Sequence, residues 1–105
     1  MNPEKFTTKT QEALQEANNI AESKGQQLIE NGHLLKGIFN VDTTILPFMM
    51  KEERIEANRM MTEIDAIIES YPKVTGGTTQ LSSATGKVLS VAQNYANKME
   101  DEFVA

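Results

Sequence analysis

Apolar residues recur at helical spacing along most of the chain. Ala13, Leu14, Ala17, Ile20 and Ala21 share one face of a helix predicted over 8–24. Thr7 is placed to cap it, and Gly25 supplies the left-handed residue that stops it. A second, shorter helix is predicted over 31–40, with Asn31 as cap and Leu34, Leu35, Ile38 and Phe39 inward. A third spans about 44–51, with Pro47 in its first turn and Leu46, Met49 and Met50 as apolar positions. A fourth spans 57–70, where Met60, Ile64, Ile67, Ile68 and Tyr71 keep the period and Pro72 forces the end. Residues 72–80 carry two glycines and no periodicity, which reads as a flexible linker. A fifth helix is predicted over 83–100 on the face Val88, Leu89, Ala92, Ala96 and Met99. Gly86 costs it about 1 kcal/mol against alanine. No stretch alternates as a strand does, so the fold class expected is all-α.

The fifth helix lies over the first when the chain is shifted by 75 residues. Phe6-Thr7-Thr8 meets Leu81-Ser82-Ser83, Ala13-Leu14 meets Val88-Leu89, and Ala17 and Ala21 meet Ala92 and Ala96. The match continues beyond both helices, where Leu28-Ile29 meets Phe103-Val104. Cap matches cap and apolar matches apolar, which marks an internal repeat. The chain divides into a first repeat over 6–71, the linker 72–80 and the start of a second repeat over 81–105. His33-Leu34-Leu35 would recur at 108–110, beyond the last residue, so the second copy is expected to be truncated after its first helix.

Composition narrows the function. The 105 residues carry a net charge of −5 with no basic cluster, a surface that phosphate backbones and anionic membranes repel. There is no cysteine, which removes disulfides and thiol chemistry. No apolar run approaches the roughly 20 residues of a membrane span, and the N-terminus lacks a hydrophobic signal core, so a cytoplasmic location is expected. Ala84-Thr85-Gly86-Lys87 falls short of a phosphate loop, because Leu81 and Val88 stand where glycine and Ser or Thr are required. His33, the one histidine, has no cysteine or fixed acidic pair to join as ligand or base, and is expected to hydrogen-bond within its own repeat. Asp65 with Glu69, and Glu12 with Glu16, lie a helical turn apart and read as solvated faces. Met49-Met50 and Met60-Met61 read as core. No arrangement of nucleophile and base stands out, and no catalytic site, cofactor site or metal site is expected.

The order of these features resembles the N-terminal domain of the Clp ATPases. The matching positions are Phe6-Thr7, Lys9, Ala13-Leu14, Ala17 and Ala21, then Ile29, Gly32-His33-Leu34-Leu35 and Ile38. Tyr71-Pro72-Lys73-Val74-Thr75-Gly76-Gly77 is similar to the family's inter-repeat segment, most of all in the ClpB disaggregase branch. One departure is Glu53-Arg54-Ile55, where the family usually has a Leu-Gly-Val turn; either helices three and four join less sharply here or Asn58 takes the turn. The resemblance implies a double repeat of four-helix units forming a pseudo-twofold bundle. It implies a parent that is an ATP-driven homohexamer, with ATP and Mg bound in regions absent here. It also implies that the domain engages unfolded or aggregated polypeptides and passes them to the ATPase ring. The alternative is docking of folded adaptor proteins, as in the ClpA and ClpC branches. The binding groove is expected where the repeats meet, rimmed by Phe6, Thr7, Leu81 and Phe103, with acidity from Asp101 and Glu102.

Overall fold

A computed structural model describes residues 8–74 and 77–104, with side chains as far as Lys98. It contains five helices, α1 (Thr8–Ser23), α2 (Asn31–Val41), α3 (Ile45–Glu52), α4 (Ala57–Glu69) and α5 (Ser83–Val104). It also contains two short strands, β1 (Leu28–Ile29) and β2 (Gln80–Leu81). The architecture is all-α apart from one small two-stranded sheet. The strands correct the expectation of helices alone. They pair in parallel, Leu28 with Gln80 and Ile29 with Leu81, and two residues are too few for alternation to show in sequence.

The α1–α2 pair forms the centre. Ala13, Ala17 and Ala21 of α1 are buried. The helices approach so closely at Gly37 that an added Cβ would sit 2.4 Å from the Ala13 carbonyl oxygen. α4 lies on the other side of α2 and buries Ile64 and Ile68. Lys36 of α2 pairs with Asp65 of α4 at 2.5 Å.

Several inward positions are placed differently from the sequence reading. Leu35, Met49, Ile67 and Val88 are exposed, and Ala92 and Ala96 of α5 are exposed as well. On α2 the buried places go instead to Gly32, His33 and Gly37, beside Leu34. Small residues let neighbouring backbones come close, and a count of large apolar positions misses that.

The helix ends follow from local chemistry. α1 closes on Gly25 at φ +68, with Gln26 N–H bonded to Ala21 O at 2.9 Å. Glu30, not Asn31, is the cap residue of α2; the Glu30 N–H donates to His33 Nδ1 at 2.9 Å. Asn31 is freed to accept from Thr85 of α5 at 2.8 Å. Asp42 caps α3 by accepting the N–H groups of Thr44, Ile45 and Leu46. α3 ends sharply on Arg54, at φ 56, with Ile55 N–H bonded to Met50 O at 2.8 Å. Arg54 therefore takes the turn, in place of either Asn58 or a looser link.

The segment after α4 is held to α1 and to the turn and strand that follow it. Val74 N–H bonds Gly25 O at 2.8 Å, Gln80 N–H bonds Gln27 O at 2.9 Å, and Thr79 hydrogen-bonds Asn18. Ser82 then caps α5 by accepting the Thr85 N–H at 3.1 Å. α5 runs through Val104, past the expected end near 100, and so Phe103-Val104 lies in helix where Leu28-Ile29 forms a strand. The cause is legible under the 75-residue shift: the stop at Gly25 falls on Glu100, which has no reason to leave the helix.

Candidate functional site

α1, α2, α3 and α5 enclose an open apolar hollow of about 400 Å³. Ala13 of α1, Leu34, Ile38 and Val41 of α2, Ile45 of α3, and Val88, Leu89 and Ala92 of α5 line it. Lys9, Thr10, Asp42 and Thr44 form its polar rim. Lys9 reaches across to the Val41 carbonyl at 3.3 Å. The Asp42 carboxyl is held below the usual carboxylate range, first by the Thr44 N–H and then by those of Ile45 and Leu46. Ile45 is 65% exposed and Val88 46% exposed, so the hollow opens onto an apolar surface. That surface continues along α3 through Phe48 and Met49 and along α5 through Val91 and Tyr95.

α5 meets the body through a narrow stripe. Thr85 and Leu89 are buried beneath it, and Ser82 just before it. The positions equivalent to the buried alanines of α1, namely Val88, Ala92 and Ala96, are exposed, the first two at the open hollow.

The expected groove residues are only partly within view. Leu81 sits on β2, 37% exposed, and faces the Gly86 position in the first turn of α5 at 3.8 Å. Asp101, Glu102 and Phe103 belong to the last turns of α5, and their side chains lie outside the described residues. Phe6 and Thr7 also lie outside the described residues. The hollow itself was not named from sequence. The 75-residue shift held the signal, since it copies a buried face of α1 onto a helix with nothing predicted to cover it.

The other candidates resolve into structure. Thr85-Gly86-Lys87 lies within α5, with Gly86 N–H bonded to Ser82 O at 2.9 Å. Glu69 binds Lys24 at 2.5 Å and Lys73 at 3.2 Å, which keeps its carboxyl below the usual range. Among the described residues no group of three or more His, Cys, Asp or Glu is placed to hold a metal ion. No described helix is long and apolar enough to cross a membrane.

His33 is fully buried. Its Nδ1 accepts the Glu30 N–H at 2.9 Å, and its Nε2 lies 2.6 Å from Gln26 Oε1. Gln26, 2% exposed, donates in turn to the Ile68 carbonyl at 2.7 Å. The Tyr71 hydroxyl accepts the Gly32 N–H at 3.1 Å, and its ring lies 5.1 Å from that of His33. Burial, foremost, and the Lys24 charge push the imidazole pKa down, against an opposing pull from Glu30.

Comparison with known proteins agrees with this architecture. The family model described as the Clp repeat (R) N-terminal domain matches residues 5–105. A chaperone protein ClpB of Bacteroides thetaiotaomicron is 41% identical over 105 residues, which is 100% of this chain and 12% of the relative. One from Porphyromonas gingivalis is 36% identical over 105 residues, with the same coverage of 100% and 12%. One from Brucella suis is 31% identical over 106 residues, covering 99% of this chain and 12% of the relative. The chain thus spans about one eighth of the length of the curated relatives it matches.

Proposed function

Because the chain belongs to the Clp repeat N-terminal domain family, we propose that it is the substrate-engaging domain of a ClpB-type disaggregase, working in the cytoplasm. In this reading the rest of the parent supplies a hexameric ATPase ring with its ATP and Mg. This domain captures apolar segments of unfolded or aggregated polypeptides and hands them on. The proposed seam comprises Phe6, Thr7, Leu81, Asp101, Glu102 and Phe103, and the proposed client surface adds the hollow against α5.

The observation that carries the reading is the apolar hollow opening between Ile45 and Val88. A groove of aliphatic side chains with few fixed polar groups imposes no sequence on its guest. It buries whatever apolar segment is offered and holds it weakly. A domain that must also release its client needs that combination. The similarity to ClpB chaperones favours client capture over adaptor docking.

The test is fluorescence anisotropy with a labelled model protein kept unfolded by reduction and alkylation. The expected result is saturable binding with Kd roughly 10–1,000 μM. Leu81→Asp and Val88→Asp should each weaken it at least fivefold, whereas Ile67→Asp, on the exposed face of α4, should leave it unchanged. Absence of saturable binding, or equal loss with Ile67→Asp, contradicts the reading.

A further inference from the structure

The His33 cluster joins three parts of the chain that are distant in sequence. Gln26 belongs to the turn before β1, Gly32 and His33 to the first turn of α2, and Ile68 and Tyr71 to the end of α4. The bonding fixes the imidazole in one neutral form. Nδ1 receives the Glu30 N–H, so the ring proton resides on Nε2 and is donated to Gln26 Oε1. A second proton can enter only at Nδ1, where it would confront the Glu30 N–H head-on.

Three facts make the consequence local. The strip 25–29 beside this cluster is the template to which the segment 74–82 bonds, through Val74 to Gly25, Gln80 to Gln27 and Ser82 to Ile29. That segment carries α5. The α1–α2 contact at Ala13, Ala17 and Gly37 lies one turn further along α2 and is made by small residues without polar side chains. A partly open hollow of about 110 Å³ between Leu28, Glu30, Tyr71 and Val74 admits water beside the cluster.

We propose that the His33–Gln26–Tyr71 cluster is a proton-operated latch that holds the 74–82 segment, and with it α5, against the first repeat. On protonation the Glu30–His33 bond is lost and Gln26 shifts. The strip 25–29 loosens and α5 is released, while α1 and α2 stay packed. The charged groups facing His33 are Glu30 at the head of α2 and Lys24 at the end of α1. Lys24 is itself bound to Glu69 of α4, which also holds Lys73, just before that segment. Glu30 favours the proton and Lys24 opposes it.

The test follows the His33 ring by nitrogen-15 NMR between pH 7.5 and 4.5, alongside amide-exchange protection factors at Val74, Gln80 and Ser82. Gly37 and Ala17 report on the α1–α2 pair. The expected result is at least a tenfold loss of protection at the first three sites, with the midpoint of the ring titration, and less than a twofold change at the other two. His33→Asn, whose amide oxygen can accept the Glu30 N–H but takes no proton, should abolish the pH dependence. If that variant fails to fold, coincidence of the two midpoints in the native chain decides. The latch is overturned if all five amides lose protection together, if the ring titrates with no loss at Val74, Gln80 and Ser82, or if a folded His33→Asn keeps the transition.

Discussion

Gly25 and Arg54 close their helices with the same pair of backbone bonds, but only one of them is suited to the geometry. At φ 56 the Arg54 side chain crowds its own backbone. Arg54→Gly should raise stability by about 0.5–1 kcal/mol, the left-handed penalty less the extra entropy glycine loses on folding. Urea denaturation measures it, and a loss of stability would be the contrary result. Gly37→Ala should do the opposite. Its Cβ would meet backbone atoms of Ala13 and Ala17 at 2.4 and 3.2 Å, and roughly 1–3 kcal/mol should be lost as α1 and α2 are forced apart. His33 sets the acid limb of stability. Well above its ordinary value of 6.5 the imidazole is neutral both folded and unfolded and costs nothing. Below 6.5 the unfolded chain takes up the proton first, so stability should fall until the lowered folded pKa is passed. Denaturation midpoints measured from pH 8 to 5 should show this decline, and His33→Asn should flatten it.

Helix position was legible in the sequence and helix environment was not. The starts and stops of α1, α2, α3 and α4 lie within two residues of those predicted from period and caps, because caps and periodicity are local properties. The left-handed turn at Arg54 was hidden, since nothing in an arginine signals φ > 0. The parallel pairing of Leu28-Ile29 with Gln80-Leu81 was hidden because its partners stand 52 residues apart in sequence. Exposure on α5 was hidden for another reason. Val88, Ala92 and Ala96 copy the buried face of α1, and periodicity cannot tell whether a face is covered. On the same ground α5 should be the least stable helix. Amide exchange at 91–98 should be faster than at 13–21, and equal protection would contradict this. Capping sustains α3 similarly. Its Asp42 carboxyl is held below its ordinary value, so it contributes most above pH 3.8, and that contribution is lost as pH falls through the lowered folded value. Asp42→Asn should lower the melting temperature at pH 7 and make little difference near pH 2.

Seen whole, the molecule is elongated. Its extents are 50 × 35 × 19 Å and its radius of gyration is 15.0 Å, against about 13 Å for a compact domain of this length. The outer part of α5 contributes to this length: beyond Leu89 only Gln93 among its described side chains is even partly covered. Appending the next 40 or so residues of the Bacteroides thetaiotaomicron relative, about the length the repeat implies, should cover the outer part of α5, where Val91, Tyr95 and Ala96 are exposed. The melting temperature should then rise, and an unchanged value would count against the repeat. The central claim is that two copies of one helical unit meet at a seam that takes apolar chain segments. The most direct measurement is amide chemical-shift mapping of the labelled domain during titration with a permanently unfolded model protein. Shifts at Ile45, Leu81, Val88 and Ala92 that saturate along one common curve are the predicted result. If those amides stay fixed while the exposed face of α4 moves, or if no amide moves at all, the seam is not where clients bind.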